Sequence, residues 1–191
     1  MPPLSFYPRI HILPDALARP PGHVSEHFAN PASALSGVLS RLRDLPEPLV
    51  KRWLAASRGY IILNDQQHGF IAGDNTFRQR TLVDVAWLKL AFAADDVRFL
   101  TPAGYLIAGI AGWGQGTEAE PALKGWGQFE SGVRSCFRAG YGIGDEAQRD
   151  IGAYLAEGIA HFLTDRRSLN SHDPRLEKLL AVTLFNPKAY Q

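Results

Sequence analysis

Cysteine, methionine and net charge are all scarce in this chain of 191 residues. The single cysteine, Cys136, excludes an internal disulfide framework. The 20 lysines and arginines nearly balance the 19 aspartates and glutamates, so that the formal net charge is +1. Because no overall field attracts a polyanion, we expect no nucleic acid among the partners of this protein.

Long apolar runs are also missing. No run reaches membrane-spanning length, and the first ten residues, MPPLSFYPRI, lack the charged region and the apolar run of a secretory signal. We therefore expect no membrane insertion, and either a cytoplasmic protein or one exported by a route that needs no signal peptide. What remains, with 46% hydrophobic and 20% charged residues, is typical of a globular domain.

The order of the sequence patterns predicts one α+β domain in which helices dominate. Residues 1–31 hold seven of the 13 prolines and are expected to form an extended arm, with one possible strand where residues 9–13 alternate. Residues 32–191 are expected to form a single globular domain. Caps and apolar spacing predict helices over residues 31–42, 47–54, 101–110, 129–138, 147–164 and 174–184, and short apolar runs predict strands over 60–63 and 70–72.

Residues 81–93, TLVDVAWLKLAFA, form an apolar run that only Thr81, Asp84 and Lys89 interrupt. A run of this length predicts a helix that is buried on every face. We expect it to be the central helix of the domain, with a small sheet of two or three strands packed against it. Asp84 is then either a functional buried acid or a structural carboxylate bonded to a backbone amide, a tyrosine or an arginine.

The segment His23-Val24-Ser25-Glu26-His27 matches the inverted zinc-binding motif His-x-x-Glu-His. On a helix, His23 and His27 would share one face for metal ligation, and Glu26 would act as the base. Prolines on both sides leave room for at most two helical turns, so that a polar, partly exposed turn is the alternative. No other metal and no cofactor is expected.

Glu157 and His161 lie one turn apart on the predicted helix 147–164. A carboxylate can orient an imidazole and raise its basicity, which makes this pair a candidate for acid–base chemistry. The alternative is an ordinary ion pair on the helix surface. Cys136 falls on the apolar stripe of its helix, which favours a buried thiol over a nucleophile, and a couple of Cys136 with His161 stays formally open.

Residues 112–127 and 139–145 alternate aromatic residues with glycine. Their spacing does not fit the dinucleotide-binding fingerprint, which also requires a strand that leads into a helix. The two segments are predicted to be surface loops. These loops, which contain Trp113 and Trp126, are either mobile surface loops or a lid over a cleft.

The predicted elements follow in the order of a short sheet, the segment TLVDVAWL, several helices, the segment AYLAEGIAHFL and a leucine-bearing last helix. This order resembles that of the lethal-factor-like zinc metallopeptidases, which include the secreted Pro-Pro endopeptidases. The resemblance covers roughly residues 8–185. In that family the central helix carries His-Glu-x-x-His, and a later helix supplies a glutamate as the third zinc ligand. Here Asp84 replaces the first histidine, Val85 the catalytic glutamate, Leu88 the second histidine and Ala153 the ligand glutamate.

The resemblance implies a metallopeptidase fold without its zinc site, because catalytic zinc needs three protein ligands and an open position. The expected function is that of a pseudoenzyme, a catalytically inactive module that binds another protein or a peptide in the former cleft. Trp113 and Trp126 are expected among the aromatic walls of that cleft.

Two other functions remain possible. One is an enzyme, a hydrolase or transferase, that uses Asp84, Glu157 and His161 without zinc. It requires at least two of these residues to converge in a pocket with a perturbed pKa. The other is zinc bound by the histidines of the His-x-x-Glu-His segment.

Overall fold

The computed structural model describes residues 8–18, 30–114, 120–140, 143–144 and 146–190. Four strands and eight α-helices follow one another in this part of the chain. The strands are β1 (Ile10–Ile12), β2 (Tyr60–Asn64), β3 (Gly69–Phe77) and β4 (Arg80–Lys89). The helices are α1 (Pro14–Ala18), α2 (Pro31–Arg41), α3 (Glu47–Ala55), α4 (Asp96–Ala111), α5 (Trp126–Arg138), α6 (Ile151–Thr164), α7 (Arg166–His172) and α8 (Pro174–Val182).

All four strands form one sheet in the order β1-β2-β4-β3. β1 is parallel to β2, β2 is parallel to β4, and β3 is antiparallel to β4. The predicted α+β class with dominant helices is confirmed. The sheet has four strands rather than two or three, because β1 pairs with β2 and because β4 comes from a segment predicted to be a helix.

The predicted central helix over residues 81–93 is wrong. This segment forms most of β4 and then a short 3-10 turn over Leu90–Phe92. The run is apolar because β4 is an inner strand with both faces covered, and such strands lack a clean alternation. A positive φ of 57° at Asp84 shifts the alternation, so that Leu82 and Val85 face one side while Ala86 and Leu88 face the other.

The central buried helix is α4 instead. The sequence predicted its start at Thr101-Pro102, whereas the helix begins at Asp96 and contains Pro102. α4 packs between β4 and α6, and its backbone comes very close to that of α6. A Cβ atom on Gly104 would overlap the carbonyl oxygen of Ala156, so that only glycine allows this approach.

Helix caps were predicted more reliably than the central element. Asn30 accepts a hydrogen bond from the Ser33 amide at 2.9 Å and Pro31 is the first helical residue of α2, as expected. Asp173 caps α8 by accepting from the Leu176 amide at 2.8 Å. None of the helices in the described ranges is long and apolar enough to cross a membrane.

Candidate functional site: a groove between the sheet and two helices

A groove of about 880 Å³ opens where the start of β3 faces α4 and α6. α4 and α6 contribute its longer walls, and Asp95 and Asp150, the N-caps of these helices, lie at its ends. The lining residues are His68, Gly69, Phe70, Asp95, Val97, Arg98, Thr101, Pro102, Tyr105, Arg149, Asp150, Glu157 and His161. The groove thus combines aromatic, basic and acidic side chains, as in sites that orient a bound ligand.

Pro102 shapes the α4 wall of the groove. A proline has no amide hydrogen, so that the carbonyl of Arg98, four residues earlier, loses its helical partner. His68 Nε2 lies 2.9 Å from that carbonyl and satisfies it as the donor. The other nitrogen, Nδ1, accepts a hydrogen bond from the Lys89 amide at 3.3 Å. These two bonds require a neutral imidazole and connect the end of β4 to α4.

Glu157 and His161 lie on the α6 wall of the groove. Glu157 is only 8% exposed, so that the alternative of an ordinary surface ion pair is wrong. Gly144 packs against the Glu157 carboxylate so closely that any side chain there would displace it. Burial lowers the pKa of His161, and this outweighs the opposing effect of Asp165. Within the described residues, the buried Nδ1 of His161 has no hydrogen-bond partner.

Aromatic rings form one end of the groove. Phe70 and Tyr105 stack with their centroids 5.8 Å apart and an interplanar angle of 2°. Gly152 lies beside Tyr105, since a Cβ there would be 3.7 Å from the ring. The neighbouring carboxylate of Asp150 accepts a hydrogen bond from the Ala153 amide at 2.8 Å, which engages it in the N-cap of α6.

Asp84 is not part of the groove lining and has structural partners. It accepts a hydrogen bond from the Gly73 amide at 2.8 Å and forms an ion pair with Arg58 at 3.4 Å. Gly73 lies in the bulge of β3, where the register shifts between Ile71 and Asp74. Of the two alternatives for Asp84, these contacts match the structural carboxylate, with a backbone amide and an arginine as its partners.

The positions equated with zinc ligands do not form a site. Asp84, Val85 and Leu88 lie on a strand, where residues four apart do not share a helical face. Leu88 is buried in the main core on the helix side of the sheet. Ala153 is fully buried in the first turn of α6, and Glu157, one turn later, is the residue that reaches the groove.

Cys136 is a buried thiol, as predicted. Burial raises its pKa, and the nearby Asp173 carboxylate adds to that effect, which favours the protonated thiol over the thiolate. It lies beside Tyr154, whereas His161 is two turns further along α6, roughly 10 Å by helical rise. A couple of Cys136 with His161 is therefore not formed.

Trp113 and Trp126 do not line this groove. Their rings pack against each other at 6.4 Å and against Phe129 on α5, partly buried at the edge of the main core. Phe70 and Tyr105 are the aromatic residues of the groove instead. His23, Glu26 and His27 lie outside the described residues. Among the residues that are described, no group of three His, Cys, Asp or Glu side chains is arranged to hold a metal ion.

The α4 wall was missed by sequence reasoning, because the central helix was assigned to residues 81–93. One signal could have found it. Thr101 and Tyr105 are the polar residues of the predicted helix over residues 101–110 and are four residues apart, which places them on one face. Compared with known protein families, with curated proteins and with solved structures, the chain matches none of them.

Proposed function

We propose that this protein is a catalytically inactive, metallopeptidase-like module that binds an extended peptide in the groove between β3, α4 and α6. The groove itself is the observation that carries the proposal. Its volume of about 880 Å³ accommodates several side chains, and its walls offer stacked rings beside buried polar groups. β3 is the edge strand of the sheet and starts at the groove, so that a peptide can add to its backbone edge there.

The resemblance assigned Asp84, Val85 and Leu88 to a metal-binding helix, whereas these residues lie on β4. In that family the metal-binding helix is the buried central one, and its two histidines are four residues apart. On α4, Thr101 and Tyr105 line the groove four residues apart, with Glu157 on the facing helix. Threonine and tyrosine are not the nitrogen, sulfur or carboxylate ligands that zinc takes in proteins. The groove also holds histidines and carboxylates, but no three such side chains among the described residues are arranged to hold a metal ion, which favours binding over metal-assisted hydrolysis.

Selection from a displayed library of random peptides tests the proposal. Thr101→Lys places a long side chain in the groove and should weaken the selected peptides at least about tenfold, as expected when contacts of about 1.4 kcal/mol or more are blocked. Thr164→Lys is the matched control, because both hydroxyls donate to the carbonyl four residues earlier at 2.8 Å and Thr164 lies outside the groove. Failure to enrich any peptide, or equal weakening by both variants, would contradict the proposal.

An enzyme without zinc is the second candidate, because Glu157 and His161 line the same groove. Incubating the selected peptides with the protein separates the two functions by mass spectrometry. Intact peptides support binding alone. Cleavage that disappears in Glu157→Gln and His161→Gln, and persists in Asp84→Asn, would replace the binding proposal with the enzymatic one.

A further inference from the structure

The sheet has a second face that points away from α4. Its strands pair so that His11, Ile62 and Trp87 lie in one row across β1, β2 and β4. Ile62 belongs to a small apolar cluster with Leu82 and Val85, which is separate from the main core. Aromatic side chains pack around this cluster, and His11 lies between Tyr60 and Phe77 with ring centroids 5.9 and 5.8 Å away.

Two arginines reach this face from the turn between β3 and β4. Arg78 lies over the Phe77 ring at 5.4 Å, and Arg80 is the cross-strand partner of Phe77. Both are exposed, and within the described residues neither has a carboxylate within ion-pair distance. Arg78 and Gln79 have positive φ values of 47° and 64°, which are unfavourable for side chains of their kind.

Hydrogen-bonding capacity on the same face is unused. Nε2 of His11 and Nε1 of Trp87 are buried and, within the described part of the chain, have no hydrogen-bond partner. Such atoms are uncommon in folded proteins and call for an explanation. Phe77 contacts both residues, since its ring is also 6.0 Å from that of Trp87.

The two arginines and the imidazole all lie next to Phe77. Burial lowers the pKa of His11, and the positive charges of Arg78 and Arg80 lower it further. No described carboxylate counteracts these two charges at the imidazole. Arg9, from β1 itself, stacks over Tyr60 and donates to the carbonyls of Leu54 and Ala56, so that its guanidinium is already engaged.

We propose that the outer face of the sheet binds a phosphate group, free or as a monoester, between the guanidiniums of Arg78 and Arg80 and the imidazole of His11. Two guanidiniums suit a tetrahedral dianion, because each can donate two parallel charge-assisted hydrogen bonds. The protonated imidazole adds a third positive charge once the anion is present. This site lies on the opposite face of the sheet from α4 and is independent of peptide binding in the groove.

Titration of the His11 ring by nuclear magnetic resonance tests the site in the full-length protein. The variant His11→Gln identifies the resonance, and the probes are inorganic phosphate and methyl phosphate, with chloride at equal ionic strength. We expect a saturable rise in the pKa of His11 with phosphate, because a bound dianion favours the imidazolium. A tenfold preference for the protonated form corresponds to a rise of about one pH unit.

Arg78→Gln with Arg80→Gln should weaken phosphate binding about tenfold or more, because charge-assisted hydrogen bonds are lost. Arg43→Gln with Arg138→Gln is the control with the same charge change at exposed positions elsewhere. Equal shifts with chloride, or an undiminished phosphate response in the first double variant, would overturn the proposal. If that variant does not fold, the amide chemical shifts of the wild-type protein provide the test. Absence of phosphate-dependent changes at residues 77–80 would also overturn the proposal. Binding of methyl phosphate assigns the site to esters, whereas binding of inorganic phosphate alone assigns it to the free ion.

Discussion

Asp84 connects two irregular backbone positions through one carboxylate. Its own φ of 57° lies in the left-handed region, and its acceptor bond fixes the amide of Gly73, which has a φ of 78° in the bulge of β3. The side chain is 13% exposed and paired with Arg58. These contacts explain why a carboxylate interrupts an apolar segment, because Asp84 stabilises the bulge.

Replacing Asp84 should therefore affect stability and not binding in the groove. We expect Asp84→Ala to lower the free energy of unfolding by about 2 kcal/mol, because it leaves the Gly73 amide without its acceptor and keeps the unfavourable φ. Asp84→Asn should cost less than half as much, because asparagine tolerates this conformation and still offers a carbonyl oxygen. Urea unfolding measures both values, and equal losses in the two variants would contradict this role.

Tyr154 and Asp173 form a buried hydrogen bond in the core. The Tyr154 hydroxyl donates to the carboxylate of Asp173, which is fully buried and also caps α8. Tyr154→Phe should lower the free energy of unfolding by about 1–3 kcal/mol, because one carboxylate oxygen loses its donor. Asp173→Ala should cost more, since it also removes the cap. Thermal unfolding tests the order, and an inverse order would refute this account.

Among the secondary-structure elements, the sequence pattern separates surface helices from strands, but it does not separate the two buried elements β4 and α4 from each other. Helix caps such as Asn30 and Asp173 act locally and could be predicted. β4 and α4 each contain long apolar stretches without a clean alternation, so that periodicity does not separate them. Pro102 then suggested the start of a helix, whereas in α4 it is an interior residue whose missing bond is compensated by His68.

The contact between α4 and α6 should tolerate no added methyl group. Gly104→Ala forces a Cβ against the carbonyl of Ala156, and we expect a loss of about 3 kcal/mol or more, because two backbones would have to separate. Gly127→Ala in α5 is the matched control, since a Cβ there meets nothing within 4 Å. The control should be stabilised by roughly 0.5–1 kcal/mol. Chemical denaturation of both variants measures the contrast, and similar effects would show that this approach is not tight.

For the whole molecule, two residues on the α6 wall of the candidate groove could be predicted. Glu157 and His161 were recognised because they lie one turn apart on a helix whose period is clear. Thr101, Tyr105 and Phe70 were not, because they meet the α6 wall only through the packing of α4 and the sheet. That packing depends on contacts between residues distant in sequence, which local patterns do not contain.

Stability of the whole molecule should depend on pH through two buried imidazoles. The pKa values of His11 and His161 are lowered from 6.5 in the fold, so that the unfolded chain binds more protons once the pH falls through that value. The free energy of unfolding should therefore change little between about pH 7.5 and 8, below the range in which the unfolded thiol of Cys136 ionises, and decrease between about pH 7 and 5.5, before most carboxylates titrate. Asp95 and Asp165 moderate the effect at His161, whereas His172, Arg78 and Arg80 strengthen it at their respective imidazoles.

The double variant His11→Gln with His161→Gln should flatten this dependence, because the groups that take up protons on unfolding are gone. Urea unfolding at several pH values, in buffers without phosphate, compares the slopes rather than the absolute stabilities, so that a general loss from the substitutions does not matter. Equal slopes in the wild type and the double variant would mean that other groups control acid sensitivity. Addition of phosphate to the wild type should make its free energy of unfolding depend less on pH, because an anion that favours the charged His11 stabilises the folded state. This result would connect the outer face of the sheet to the stability of the fold.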